Sequence, residues 1–104
     1  MASKKIAIYA RVSTHDQNAS MQLDGLRDLA AQRGWVISRE YVDVGVSGSK
    51  DRRPHLDELM KDAARRKFQA VTVFKFDRFA RSVKHLVTAL DEFRALGIDF
   101  ISLH

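Results

Sequence analysis

The stretch Ile8-Tyr9-Ala10-Arg11-Val12-Ser13-Thr14 decides how this chain is read. It closes an apolar run that begins at Ile6. Extended backbone sends successive side chains to opposite faces, so Tyr9, Arg11 and Ser13 share one side, and Ile8, Ala10 and Val12 share the other. One side reads as core and the other as chemistry. An arginine in a run that otherwise reads Ile-Ala-Ile has no packing reason to be there, and its five fixed donors suit a phosphate or a carboxylate. Ser13 offers a hydroxyl nucleophile where the strand gives way to a loop, and the carboxyl end of a first strand is where an open α/β sheet places its ligand. In the plainer reading, Ser13 or Thr14 caps the next helix and Arg11 is a surface charge. That suffices for an isolated serine, but it leaves Tyr9, Arg11 and the polar residues at two later strand ends unexplained.

Working outward, Lys4 to Ala10 reads as a first strand, continuous and apolar in the manner of a buried parallel strand. Asp16 to Arg33 switches to helical spacing, with Met21, Leu26, Leu29 and Ala30 on or near one stripe and Gly34 as a stop. Thr14 or Asp16 is placed to cap it, and Gln17 and Gln22 lie in its first half. Trp35 to Val42 returns to strand, with Val36, Ile37, Tyr41 and Val42 expected to pack. Asp43 to Pro54 holds two glycines, two serines and the only proline, and is expected to be a mobile loop. Pro54 suits the first position of a second helix, with a stripe of Leu56, Leu59, Met60, Ala63 and Ala64. Gln69 to Phe76 reads as a third strand, followed at once by Asp77-Arg78-Phe79-Ala80-Arg81. A third helix then presents Val83, Leu86, Val87, Leu90 and Phe93 on one face and stops at Gly97, before a fourth strand from Ile98 to Leu103. The alternation βαβαβαβ predicts an α/β fold of three layers, a mainly parallel sheet with helices on both faces.

The totals narrow the function. A chain of 104 residues makes one small domain, and 45% hydrophobic residues suffice for a core. No apolar run approaches a membrane span, and Met-Ala-Ser-Lys-Lys leads straight into a strand rather than a signal peptide, so a cytoplasmic protein without a membrane partner is expected. With no cysteine, and four histidines scattered without ligand spacing, neither a disulfide framework nor a thiolate metal site is possible, and metal chemistry would have to come from carboxylates alone. Neither Gly-x-x-x-x-Gly-Lys-Ser/Thr nor Gly-x-Gly-x-x-Gly is present, so the first turn has no nucleotide-binding signature. The net charge of +5 suits a polyanionic partner, though the placement of the arginines must decide it.

That placement is informative. A parallel sheet brings together Tyr9, Arg11 and Ser13, then Asp43 with loop arginines Arg52 and Arg53, then Asp77, Arg78 and Arg81. Acyl chemistry of the Ser-His-Asp kind would need a histidine base, and His15, the nearest, has no evident orienting carboxylate. A serine ringed by arginines fits phosphoryl transfer, which works mostly by positioning and electrostatics. A flavodoxin-like domain binding a small phosphorylated ligand at the same sheet edge is a rival reading, and it would leave Ser13 dispensable.

These residues carry a resemblance. Tyr9-Ala-Arg-Val-Ser-Thr14 with Gln17 and Gln22, Asp43 through Ser47-Gly48 to Arg53-Pro54, and Asp77-Arg-Phe-Ala-Arg81 together resemble the N-terminal catalytic domain of the serine recombinases, the resolvase and invertase family. The resemblance spans nearly the whole chain, residues 1–104. It implies site-specific DNA recombination, with Ser13 attacking a phosphodiester to form a 5′-phosphoserine link. Arg11, Arg78 and Arg81 match the family's phosphate-binding arginines, and Arg53 matches its loop arginine, with Arg52 as the rival. Tyr9, Gln17, Gln22, Asp43 and Asp77 match supporting polar residues, Asp77 being a candidate acid for the leaving oxygen. The resemblance also implies DNA as partner, dimers and tetramers in the active full-length form, and no cofactor, neither metal nor ATP. The chain reads as truncated before a long dimerisation helix and a DNA-binding domain. A catalytically incompetent fragment or relic, acting by oligomerisation or regulation, is the alternative.

Overall fold

The computed structural model describes residues 4–13, 19–45, 53–75, 79 and 83–104, apart from the side chains of Ser13 and Ala19. The elements run β1 (Lys5–Ser13), α1 (Ala19–Arg33), β2 (Val36–Gly45), α2 (Pro54–Ala64), β3 (Ala70–Val73), α3 (Val83–Leu96) and β4 (Asp99–Ser102). All strand pairs are parallel, in the order β2-β1-β3-β4. The chain moves outward from β1 to β2 and then returns across β1 to β3. With crossovers of one hand, that reversal must put the connecting helices on opposite faces. Ile6 and Ile8 pack with Leu26 and Ala30 of α1, whereas Ala7, Tyr9, Val71 and Val73 pack with Leu56, Leu59 and Ala63 of α2 and Ala89 and Phe93 of α3. The expected three-layer fold is therefore present.

One irregularity sets the phase of the sheet. Ile6 pairs with Ile37, but Ala7 pairs with Arg39, so Ser38 is an extra residue in β2, and its hydroxyl donates to the carbonyl of Lys67 at 3.4 Å. Because side chains alternate, one extra residue exchanges the faces of everything beyond it. Ile37 belongs to the α1 side, while Tyr41 belongs to the α2 side with Tyr9. The same shift aligns Tyr9 with Tyr41 and Arg11 with Asp43.

The helix ends follow the sequence closely. Gly34 and Gly97 hold φ of 69° and 72°, the left-handed conformation that ends a helix. The amides of Trp35 and Ile98 reach back to Ala30 and Phe93 at 2.9 and 2.8 Å. Arg66 takes the same position after α2 with φ of 58°, and its guanidinium donates to the carbonyl of Leu96 at 3.2 Å. Pro54 opens α2 as expected.

Several expectations are corrected. β1 continues to Ser13, and β2 to Gly45, so Asp43 to Gly45 is paired strand and not the start of a loop. The side of β1 that reads as chemistry is also core, since Tyr9 is fully buried beneath Phe79 and the α2 and α3 layer. Met21, Val36, Val83 and Val87, expected to pack, are exposed by 54, 48, 78 and 51%. In α3 the buried stripe runs through Ala89 and Phe93, flanked by Leu86 and Leu90. At about 100° per residue, Val83 and Val87 fall to one side of it. Ala64 likewise faces solvent. Among the described residues no helix is long and apolar enough to cross a membrane.

Candidate active site

The site is built at the carboxyl ends of β1 and β2, beside the point where the strand order reverses between β1 and β3. Its centre is a buried pair. The Tyr9 hydroxyl donates to Asp43 Oδ2 at 2.9 Å, with Tyr9 fully buried and Asp43 2% exposed. The same carboxylate takes up the amino end of α2: His55 N–H donates to Oδ1 and Leu56 N–H to Oδ2, each at 2.9 Å. A helix begins with unsatisfied N–H groups and a partial positive charge, and a carboxylate answers both. The residue at the cap position itself, Arg53, makes no side-chain cap bond, so Asp43 caps α2 from a neighbouring strand.

Freed from capping, Arg53 turns inward. It is only 4% exposed, and its Nη1 donates to the carbonyl of Phe79, just beyond β3. The Phe79 ring meets the Tyr9 ring edge to face, with centroids 5.8 Å apart. The β1, β2 and β3 sides of the site are thus linked through Tyr9, Asp43, Arg53 and Phe79. Arg11, half-buried, lays its guanidinium against Gly45: a Cβ placed there would sit 3.0 Å from Nη2, 3.3 Å from Cζ and 3.4 Å from Nε. Burial foremost, and then the bond to Asp43, push the Tyr9 phenol well above its ordinary range, opposed by the positive charges of Arg53 and Arg11. Tyr9 therefore stays protonated and holds its place as a donor.

Of the residues singled out in the sequence, Tyr9, Arg11, Asp43 and Arg53 are brought together. Gln22 is 2% exposed near the start of α1, the helix on the opposite face of the sheet. The backbone of Ser13 ends β1 opposite Gly45, and its side chain lies outside the described residues. Gln17, Asp77, Arg78, Arg81 and the rival Arg52 lie outside them as well, as do the candidate caps Thr14 and Asp16. Two participants went unnoticed in the sequence. Phe79 acts through its carbonyl, which no residue type announces. Gly45 looked like loop glycine, although an arginine at the cap position of a helix already hinted that the cap comes from elsewhere.

A groove of about 350 Å³ between α3 and β4, lined by Leu90, Phe93, Arg94, Gly97, Ile98, Asp99 and Phe100, lies at the far edge of the sheet. It touches none of the site residues. Among the described residues, no three His, Asp or Glu side chains gather as metal ligands.

Comparison with known proteins places the chain in a family. The chain matches the family model for the resolvase N-terminal domain over residues 6–104. It is 38% identical over 95 residues to the transposon Tn917 resolvase of Enterococcus faecalis, covering 91% of this chain and 47% of that protein. With the serine recombinase gin of Escherichia phage Mu it shares 35% identity over 95 residues, 91% of this chain and 45% of the relative. Among solved structures, the N-terminal catalytic domain of TP901-1 integrase superposes with a TM-score of 0.84 at 42% identity, over 96% of this chain and 77% of that one. The chain thus spans somewhat under half the length of these two curated relatives. A model match over nearly every residue, joined to a shared fold at this identity, establishes that the chain belongs to the resolvase and invertase family of serine recombinases.

Proposed function

We propose that this chain is the catalytic domain of a site-specific DNA recombinase that cuts and rejoins strands through a covalent bond to Ser13. The Ser13 oxygen attacks a backbone phosphorus. The Oγ–P bond forms as the P–O3′ bond breaks, leaving a 5′-phosphoserine link and a 3′-oxygen that takes up a proton. Attack by a 3′-hydroxyl on the same phosphorus reverses the step and frees Ser13, so the energy of the phosphodiester is kept and no ATP is needed. Arg11, Arg78 and Arg81 hold the phosphate oxygens, on which negative charge develops, and Asp77 is the candidate donor to the leaving oxygen. Tyr9, Asp43 and Arg53 keep the strand ends and the start of α2 in register, with Gln17 and Gln22 as further supporting polar groups. In the full-length protein this domain works on DNA as a dimer that assembles into a tetramer.

The observation that carries the reading is the gathering of Arg11 and Arg53 around the buried Tyr9–Asp43 pair, beside the strand position where Ser13 stands. Arg53 is turned inward to the Phe79 carbonyl, which leaves the half-buried guanidinium of Arg11, at the carboxyl edge of the parallel sheet, to suit a phosphate ester. Covalent trapping tests it. The chain is joined to a DNA-binding segment of known site and offered nicked DNA, and protein–DNA adducts are separated on a denaturing gel and located by mass spectrometry. An adduct on Ser13 that vanishes in Ser13→Ala supports the mechanism, whereas an adduct that survives the substitution refutes it.

A further inference from the structure

Position 45 carries a glycine that its backbone does not require. Among the described residues the glycines with left-handed φ are Gly34 and Gly97, so Gly45 sits in paired strand where any L-residue is at home. What excludes a side chain is Arg11. The Nη2, Cζ and Nε atoms of its guanidinium all lie 3.0–3.4 Å from the place a Cβ would occupy, closer than ordinary van der Waals contact. Gly45 is the strand partner of Ser13, and Arg11 is the partner of Asp43. Ser13 and Arg11 lie on the same side of β1, so a guanidinium resting on Gly45 lies over the strand position paired with Ser13.

We infer that Gly45 is a positioning residue, a bare seat in β2 that sets the Arg11 guanidinium beside Ser13. The inference rests on the function proposed above for its catalytic consequence, and on geometry alone for the seat. An added methyl group meets the far end of a flexible side chain, which must give by a few tenths of an ångström. The fold therefore tolerates Gly45→Ala while the planar fork of Arg11 is displaced from the phosphate it serves. A full ångström of misplacement of a group that orients a reacting centre costs up to roughly a hundredfold in rate, so a shift of a few tenths costs correspondingly less.

Two measurements on the wild-type chain and Gly45→Ala decide it. The first follows the Arg11 Nε–Hε resonance by NMR, assigned by its loss in Arg11→Lys, alongside the thermal midpoint. The second follows the rate of the Ser13 adduct in the DNA-joined form, for Gly45→Ala in the Arg11 and Arg11→Lys backgrounds. Gly45→Ala is expected to move the Arg11 resonance with the fold intact and to slow the adduct severalfold, up to about tenfold. It should add little once Arg11 has already been replaced, because it acts through that side chain. An unmoved Arg11 resonance overturns the seat, as does an equal loss of rate in both backgrounds. Absence of any adduct from the wild-type protein would instead count against the proposed function, and the resonance would still decide the seat.

Discussion

The protein has two tyrosines, both of them buried donors to a carboxylate, and this predicts a steep and separable sensitivity to alkali. Tyr9 is fully buried, and Tyr41, 1% exposed, donates to Asp62 Oδ2 at 2.6 Å. In both, burial first and then the neighbouring carboxylate raise the phenol above its ordinary value of 10.0. The folded state therefore keeps both protons when the unfolded chain has begun to lose them. A raised acidity constant in the folded state gives a contribution that is complete below about pH 10 and is lost as the pH climbs. Each tyrosine costs about 1.4 kcal/mol per pH unit in that range, so the pair removes about 2.8 kcal/mol by about pH 11, a large part of a total of about 5–15 kcal/mol. Base titration followed at once by phenolate absorbance and far-ultraviolet circular dichroism checks it. Ionisation should coincide with unfolding, and Tyr9→Phe or Tyr41→Phe should each halve the slope that the tyrosines contribute to stability. Phenolate appearing near pH 10 while the dichroism is intact would refute the reasoning.

Other outcomes follow from single contacts. Asp43→Ala strands the Tyr9 hydroxyl and two amides of α2 together, and should cost about 3–5 kcal/mol in urea unfolding, against about 1–2 kcal/mol for Asp43→Asn, which keeps one acceptor. A loss below about 1 kcal/mol for the alanine variant would show that α2 is capped by other means. Leu59→Ala empties a fully buried place and should cost about 2–5 kcal/mol. Leu90→Ala, at a half-buried place, should cost clearly less, and Val87→Ala should stay within about 0.5 kcal/mol.

Much of this fold is written locally. Glycine ends α1 and α3 because the reversal there needs positive φ, and Pro54 opens α2 because its ring already holds a helical φ and its missing N–H is not needed. The continuous apolar runs of β1 and β3 mark strands covered on both faces. What stays hidden depends on pairing. Met21, Val83 and Val87 sit close enough to a helical stripe to be counted with it, and only the layer beneath decides that they face solvent. The Asp43–Gly45 segment resembles a loop by composition, and it becomes strand because β1 continues beside it as far as Ser13.

The candidate site depends most on the least legible feature, the extra residue at Ser38. Without it, Ala7 would face Ser38, Tyr9 would face Glu40 and Arg11 would face Val42, and Asp43 would turn toward the α1 side of the sheet. The carboxylate would then reach neither the Tyr9 hydroxyl nor the amides of His55 and Leu56. Arg53 would stand at a helix start with no cap, and Gly45 would offer its seat on the wrong face. Ser38 carries no signal of this in sequence, since a serine between Ile37 and Arg39 is ordinary for an edge strand. The strand-end motifs could be read from residue types, because arginine, serine and aspartate announce what they can bind. The phase that brings Tyr9, Arg11, Asp43 and Arg53 together is set some distance away, at the residue left out of the ladder, whose hydroxyl bonds to the carbonyl of Lys67. The candidate site of this family member is thus spelled at the carboxyl ends of its first two strands and aligned from the other end of β2.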